Sequence, residues 1–231
     1  MKVIAFPFAG GTSLAYRGLA NQLRDVAAFE TFDPPGHGAR MDEEPLCELG
    51  LIVDDVVRHM APQLHGRYAL FGHSMGAYVA YLLARRAARE GLELPRVLFV
   101  SGASAPSHGV RVKRAALPRE DLVRELESMG RYPPHLLADE ALSRKLFPIV
   151  RADLQAIETY RHDPGPPLPI ALVVLHGSED VVTHGEASAW RDETSGPFEH
   201  HVFDDGHFFF VEREPEVAAC ITRALRAHGG P

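Results

Sequence analysis

The chain has 231 residues, of which 45% are hydrophobic and 24% are charged, as is typical of a soluble globular protein. This length suits a single domain, and a formal net charge of −7 argues against a nucleic-acid-binding surface. The two cysteines, Cys47 and Cys220, are far apart and indicate a reduced chain without a disulfide framework.

The N-terminal residues do not have the pattern of a targeting segment. The first apolar run is short and ends near Pro7, whereas a signal peptide needs a longer apolar stretch and a cleavage site with small residues. Apolar runs elsewhere stay well below the roughly 18 residues that would span a bilayer. We therefore expect a cytoplasmic protein that does not contact a membrane.

Six short apolar runs, rich in Val, Ile and Phe, predict the strands of a parallel sheet covered on both faces. The predicted strands are Val3–Phe8, Ala28–Phe32, Tyr68–Phe71, Arg96–Ser101, Ile170–His176 and Phe198–Phe203. Helical patterns alternate with them at Ser13–Arg24, Leu49–Leu64 and Ala77–Glu90. This alternation predicts an α/β protein with a mostly parallel, doubly wound sheet.

The alternation stops over residues 103–168, which we call the lid segment. Its sequence predicts helices at Arg119–Met129 and Asp139–Tyr160, and a proline-rich stretch follows at Asp163–Pro169. We interpret the lid segment as a helical insertion over the ends of the strands, within a single domain of residues 1–231.

The sequence Gly72-His73-Ser74-Met75-Gly76 lies between a predicted strand and a predicted helix. This context favours a nucleophile elbow, in which the two glycines relieve crowding in a tight turn and the serine oxygen projects above the sheet. The turn also directs the Met75 amide and the start of the helix at a reacting carbonyl. We therefore predict Ser74 as a nucleophile.

A serine nucleophile needs a base, and the base needs a third group that fixes its tautomer. In a hydrolase with this elbow the chain order is Ser, then Asp or Glu, then His, each after a strand. Asp180 and His207 follow the last two predicted strands, so we predict a Ser74–His207–Asp180 triad. Glu179 is the alternative acid, and the chain has 13 histidines, of which His184, His200 and His201 are the nearest rivals to His207.

Two further features of the site follow from the same pattern. The loop after the first strand, with Gly10 and Gly11, should supply the second oxyanion donor, for which Ala9 is the candidate and Phe8 the alternative. A zinc site made of His200, His201 and His207 conflicts with strand geometry, because adjacent residues point to opposite faces. We expect no metal and no cofactor.

The chain resembles the type II thioesterases that accompany polyketide and nonribosomal peptide synthetases, which have the α/β-hydrolase fold. The resemblance is carried by residues 6–11, 35–40, 71–77, 151–154, 160, 190, 194 and 206–208. Two positions depart from the family pattern: His37 replaces an arginine, and Asp205 replaces the first glycine of the pair before His207.

The resemblance implies an antibiotic-pathway serine hydrolase that removes acyl groups from the phosphopantetheine arm of acyl or peptidyl carrier proteins. It also suggests a monomer. The alternatives are a general carboxylesterase or acyltransferase with the same triad, or a non-catalytic partner protein.

An acidic carrier protein would need a local basic patch on this acidic chain. Two groups of basic residues are candidates, and ordinary solvated faces are the alternative interpretation. The first group is Arg111, Lys113, Arg114 and Arg119, and the second is Arg85, Arg86 and Arg89.

Overall fold

The computed structural model describes residues 1–129 and 140–230, and a six-stranded parallel sheet forms their centre. The strands are β1 (Lys2–Phe6), β2 (Ala28–Thr31), β3 (Tyr68–His73), β4 (Val97–Ser101), β5 (Ala171–Gly177) and β6 (Phe198–Phe203). Their order is β2-β1-β3-β4-β5-β6, and each neighbouring pair is parallel. All six predicted strands are confirmed, although β1 ends before Pro7, which has no N–H to continue the ladder.

The helices that connect the strands also follow the predicted pattern. They are α1 (Arg17–Leu23), α2 (Leu49–Met60), α3 (Met75–Glu90), α4 (Arg119–Ser128), α5 (Glu140–Thr159), α6 (His184–Ser188), α7 (Phe209–Glu212) and α8 (Glu214–His228). The predicted helix from Ser13 begins as a 3-10 turn, Ser13–Tyr16, and becomes α-helical only at Arg17. The helices predicted in the lid segment correspond to α4 and α5, and Asp139, the predicted start of the second, lies outside the described residues.

The sheet is covered on both faces, as its apolar strands require. Along β1, Val3 and Ala5 pack on the face that α1 and α8 cover, whereas Ile4 and Phe6 pack on the face that α2 and α3 cover. All four are buried, and the alternation follows from the two-residue period of a strand. The doubly wound arrangement is therefore confirmed.

The lid segment has a small apolar cluster of its own. Leu122 and Leu126 of α4 pack against Phe147 and Val150 of α5. Arg151 of α5 donates hydrogen bonds to the carbonyls of Ala115 and Leu117, which precede α4. The two helices are thus held to each other, and α5 also packs against α3 of the sheet domain.

Among the described residues, no helix combines the length and apolar character needed to cross a bilayer.

Candidate active site

Ser74 lies in a strained turn between β3 and α3. Its φ of 54° and ψ of −115° make it the one non-glycine residue with positive φ among residues 1–129 and 140–230. The Ser74 N–H donates to the carbonyl of Ser101, 2.8 Å away, which fixes the turn against β4. Such backbone strain is typical of a nucleophile elbow, which holds the hydroxyl at the end of the sheet.

The glycines on either side of Ser74 are required by close backbone contacts. A Cβ on Gly72 would lie 2.0 Å from the carbonyl oxygen of Gly76, and a Cβ on Gly76 would lie 2.0 Å from that of Phe6. Neither position has room for a larger residue unless the backbone moves. The elbow therefore depends on both glycines, as the sequence predicts.

His207 and Asp180 form a hydrogen-bonded pair close to Ser74. The Nδ1 atom of His207 lies 2.9 Å from each carboxylate oxygen of Asp180. The Asp180 side chain is fully buried and that of His207 is 7% exposed. Because the carboxylate accepts the Nδ1 proton, Nε2 is left as the basic nitrogen, on a ring that lines the same cavity as Ser74.

The loops that carry these two residues are packed tightly against each other. Ser178 donates its N–H to the carbonyl of Phe203, and Glu179 donates its N–H to that of Asp205. A Cβ on Gly177 would lie 2.4 Å from the carbonyl oxygen of Gly206. These contacts fix the distance between the end of β5 and the end of β6, and so the position of Asp180 relative to His207.

The alternative residues lie in other environments. Glu179 is exposed, whereas its neighbour Asp180 contacts His207. His200 contacts Ser188, and His201 contacts Glu199. The structure thus brings His207 to Asp180 and places the strand histidines elsewhere.

The loop after β1 borders the cavity. Phe8 and Ala9 both line it, and α3 begins at Met75, directly after Ser74. The Gly11 N–H donates to the carbonyl of Phe8, 2.8 Å away, and Gly10 has a φ of 68°. Of the two candidate oxyanion donors, Met75 is therefore next to the nucleophile, and Ala9 lies in the loop that borders the same cavity.

A buried carboxylate from the lid segment holds this loop, and sequence reasoning did not assign it a role. The Gly10 N–H donates to Oδ2 of Asp153 at 2.6 Å, and His37 Nε2 lies 2.8 Å from the same oxygen. The side chains of His37 and Asp153 are each 1% exposed. Both positions lie in segments that carry the family resemblance, and the structure shows that their side chains contact each other.

The surroundings of His37 favour its protonated, positively charged form. Its Nδ1 lies 3.0 Å from the carbonyl of Pro35, which can only accept, so both ring nitrogens donate when Asp153 is ionised. Burial lowers the pKa of His37, but the hydrogen bond and charge of Asp153 outweigh that effect, and the pKa is raised overall. A charged donor replaces the arginine that the family pattern places here.

The cavity beside Ser74 lies between the sheet and the lid segment. The lid helices contribute Leu126 and Met129 from the α4 side, and Leu154 and Ile157 from α5. The remaining walls come from the loops after β1, β4, β5 and β6, from the elbow at Ser74, and from Tyr78 of α3, Glu158 of α5 and Glu186 of α6. A mostly apolar cavity of this kind suits an acyl chain attached to a carbonyl at Ser74.

Two of the four residues in the first predicted basic group form ion pairs with acidic neighbours. Nε of Arg111 lies 2.6 Å from Glu186, and Nε of the buried Arg114 lies 2.8 Å from Glu125. Lys113, which lies between them in the sequence, is exposed. The guanidinium of Arg119 lies 5.1 Å from the ring centre of Phe147.

The second group of basic residues is similarly engaged. Arg86 forms ion pairs with Asp54 and Glu90, and Arg85 donates to the carbonyl of Pro166. Arg89 is exposed.

Comparisons with known proteins identify the family to which the chain is similar. The profile of the Thioesterase domain family matches residues 1–225. The chain is 34% identical, over 97% of its own length, to the probable cadicidin biosynthesis thioesterase of Streptomyces griseus, and it spans 62% of the length of that relative.

Two solved structures are similar over most of the chain. RedJ, a thioesterase from the prodiginine biosynthetic pathway in Streptomyces coelicolor, is 32% identical with a TM-score of 0.92, covering 97% of this chain and 90% of its own. BorB, a type II thioesterase from the borrelidin biosynthetic cluster, is 35% identical with a TM-score of 0.87, covering 97% and 92%. The predicted α/β-hydrolase fold is confirmed by these similarities.

Proposed function

Because this chain belongs to the thioesterase domain family, we propose that it is a type II thioesterase that cleaves acyl groups from carrier proteins of polyketide or nonribosomal peptide synthesis. The observation that carries the proposal is the His207–Asp180 pair, at 2.9 Å, on the cavity that Ser74 lines. The thioester would arrive on the phosphopantetheine arm of an acyl or peptidyl carrier protein. The hydrolase would need no cofactor of its own.

In the proposed mechanism, Ser74 Oγ attacks the thioester carbonyl while His207 Nε2 takes the hydroxyl proton. The carbonyl oxygen becomes an oxyanion that accepts hydrogen bonds from the backbone amides of Met75 and Ala9. When the C–S bond breaks, His207 returns the proton to the leaving thiolate and an acyl-Ser74 ester remains. Asp180 keeps Nε2 unprotonated between steps and stabilises the imidazolium.

Hydrolysis of the acyl-enzyme repeats the sequence with water as nucleophile. His207 removes a proton from water as it attacks the ester carbonyl, and then protonates Ser74 Oγ as the free acid leaves. We propose that the lid segment encloses the acyl chain and limits the entry of other nucleophiles during these steps.

The direct test compares three substrates: an acyl-carrier protein, the same acyl group on a pantetheine mimic, and a simple oxygen ester. Wild type should hydrolyse the carrier thioester with the highest kcat/KM. The Ser74→Ala variant should lose roughly 10⁴-fold or more, because the nucleophile is absent. Ser104→Ala is the matched control, since Ser104 lines the same cavity and has no role in the proposed mechanism.

Two results would redirect the proposal. A marked preference for the oxygen ester would indicate the general esterase or acyltransferase. Failure of Ser74 to react with a fluorophosphonate probe, in a folded protein, would indicate a non-catalytic partner protein.

Docking of the carrier can be tested on the exposed basic loop. Charge reversal at Arg111 and Lys113 should raise the KM for acyl-carrier protein, and Lys113→Glu should leave the KM for the pantetheine mimic unaffected. Lys113→Glu is the cleaner change, because Arg111→Glu would also place two carboxylates together at Glu186. An unchanged KM for the carrier in both variants would exclude this surface.

A further inference from the structure

Three histidines from different elements converge beside the loop that carries Asp180. His176 belongs to β5, His184 begins α6 and His200 belongs to β6. One ring nitrogen from each lies within 4.8 Å of the other two. His176 and His200 share a face of the sheet, because His200 is in register with Val174, two residues before His176.

Two of these histidines have buried nitrogens without a hydrogen-bond partner among the described residues. His176 Nε2 lies 2.8 Å from the carbonyl of Val182, which can only accept, so this nitrogen carries the proton. Its Nδ1 therefore has a lone pair, and Nδ1 is buried and unpaired within the described part of the chain. His176 itself is 3% exposed.

His200 has the same arrangement with the two nitrogens exchanged. Its Nδ1 lies 3.1 Å from Ser188 Oγ, which can accept the Nδ1 proton, and its Nε2 is buried without a partner among the described residues. When this ring is neutral, with its proton on Nδ1, Nε2 has a lone pair, and the neutral ring is the form that binds metals.

We propose that His176, His184 and His200 form a binding site for a transition-metal ion, with Zn²⁺ as its occupant and the fourth coordination position open to water. Three imidazoles favour Zn²⁺, Cu²⁺ or Ni²⁺ over Mg²⁺ or Ca²⁺, which prefer oxygen ligands. The hydrogen bonds to the Val182 carbonyl and to Ser188 are the outer contacts that orient imidazole ligands.

The geometry is close to what the ion requires. Tetrahedral coordination with Zn–N distances of about 2.0–2.1 Å places ligand nitrogens about 3.4 Å apart. The three histidine nitrogens are at most 4.8 Å apart, so each needs to move by under about 1 Å toward the centre of the cluster to bind the ion. His184 is exposed, and its ring already stacks on that of His200, with centroids 4.7 Å apart.

A bound ion would join β5, β6 and the first residue of α6, which follows the segment that carries Asp180 and Val182. Val182 contacts both the proposed metal site and the proposed triad. Its carbonyl accepts a hydrogen bond from His176, and its N–H donates to Asp180 Oδ1 at 3.2 Å. The ion would therefore stabilise the loop that holds Asp180, and the melting temperature should rise when the metal binds.

The test uses the full chain without an affinity tag, titrated with Zn²⁺ by calorimetry and with Co²⁺ by visible absorption. Wild type should bind one equivalent, and bound Co²⁺ should give the intense visible bands of a four-coordinate site. His184→Ala and His200→Ala should each weaken binding at least tenfold, and Ser188→Ala about tenfold, through the lost outer contact. The control is His201→Ala, because His201 is adjacent in sequence and contacts Glu199 instead.

The proposal is overturned if wild type shows no saturable binding of Zn²⁺ or Co²⁺ at micromolar concentration. It is also overturned if His201→Ala weakens binding as much as His200→Ala does. His184 is exposed, so His184→Ala decides the question even if the His200 variant does not fold. The readout is metal binding, so it stands independently of the proposed thioesterase activity.

Discussion

Replacing Asp153 by asparagine tests whether α5 holds the loop of the proposed oxyanion hole. One oxygen of Asp153 accepts from both the Gly10 N–H and His37 Nε2, inside the protein. An asparagine oxygen in that place keeps the bond to Gly10 but supplies no negative charge for His37. His37 then either loses one of its two ring protons, and with it one of its two hydrogen bonds, or stays charged without a carboxylate to balance the charge.

The expected cost of Asp153→Asn is about 3 kcal/mol. Removing one partner of a buried ion pair costs about 3–5 kcal/mol, and release of the His37 proton lowers that value. For a domain of this size, 1 kcal/mol corresponds to about 2–4 °C, so the melting temperature should fall by about 6–12 °C. The control is Asp163→Asn, since Asp163 is exposed and its change should stay within about 0.5 kcal/mol.

The assay is urea unfolding of wild type, Asp153→Asn, His37→Asn and the double variant. A coupling free energy of about 1 kcal/mol or more between the two positions is expected, because they share one hydrogen bond. The kcat should fall about tenfold, since a lost oxyanion donor costs about 10²–10³ and Ala9 is only displaced, not removed. A cost below about 1 kcal/mol, or a coupling near zero, would refute the reasoning.

Two further predictions concern pH and the elbow. The pKa of His37 is raised above its usual 6.5 by its pairing with Asp153. This pairing therefore stabilises the fold fully below pH 6.5, and its contribution is lost as the pH rises through the pKa of His37 in the folded protein. Wild type should therefore lose more unfolding free energy than Asp153→Asn between pH 6 and pH 9, and parallel urea profiles would contradict this. Gly76→Ala should destabilise by more than about 3 kcal/mol or prevent folding, because its Cβ meets the Phe6 carbonyl. Gly50→Ala is the control, because there is open space around the added methyl group. In thermal unfolding it should be neutral or stabilising by up to about 1 kcal/mol. Equal effects of the two substitutions would contradict the steric argument.

The sheet and the elbow could be predicted from sequence because their determinants are local. Buried parallel strands are apolar on both faces, so each strand is visible as a short apolar run. The glycines at 72 and 76 are fixed by contacts within a few residues of the turn and with β1. Asp180 and His207 could be placed because the ends of parallel strands meet at one edge of the sheet.

The contact between Asp153 and Gly10 could not be predicted, because it joins residues 143 positions apart. The helical pattern of α5 shows which residues can share a face, but not which strand-end loop that face covers. The direction of the α5 axis over the sheet decides this, and nothing in the local sequence fixes that direction.

The cluster of three histidines could not be predicted from the sequence either. Strand alternation correctly predicts that His200 and His201 point to opposite faces: His200 contacts Ser188, and His201 contacts Glu199. Grouping histidines by sequence proximity then fails, since the neighbours of His200 are His176 on the adjacent strand and His184. The register of β5 and β6, which places residues 174 and 200 opposite each other, brings His176 and His200 together, and the sequence does not give that register.

The lid helix α5 connects substrate binding to the proposed chemistry. Leu154 and Ile157 of α5 line the cavity, while Asp153, adjacent to Leu154, holds the amide next to Ala9. A shift of α5 that widens the cavity for a larger acyl chain must therefore also move Asp153, and with it the loop that carries the proposed oxyanion donor. If the proposed function holds, we expect acyl-chain selectivity and kcat to be coupled in this chain, because one helix supplies both the wall of the cavity and the support of the loop.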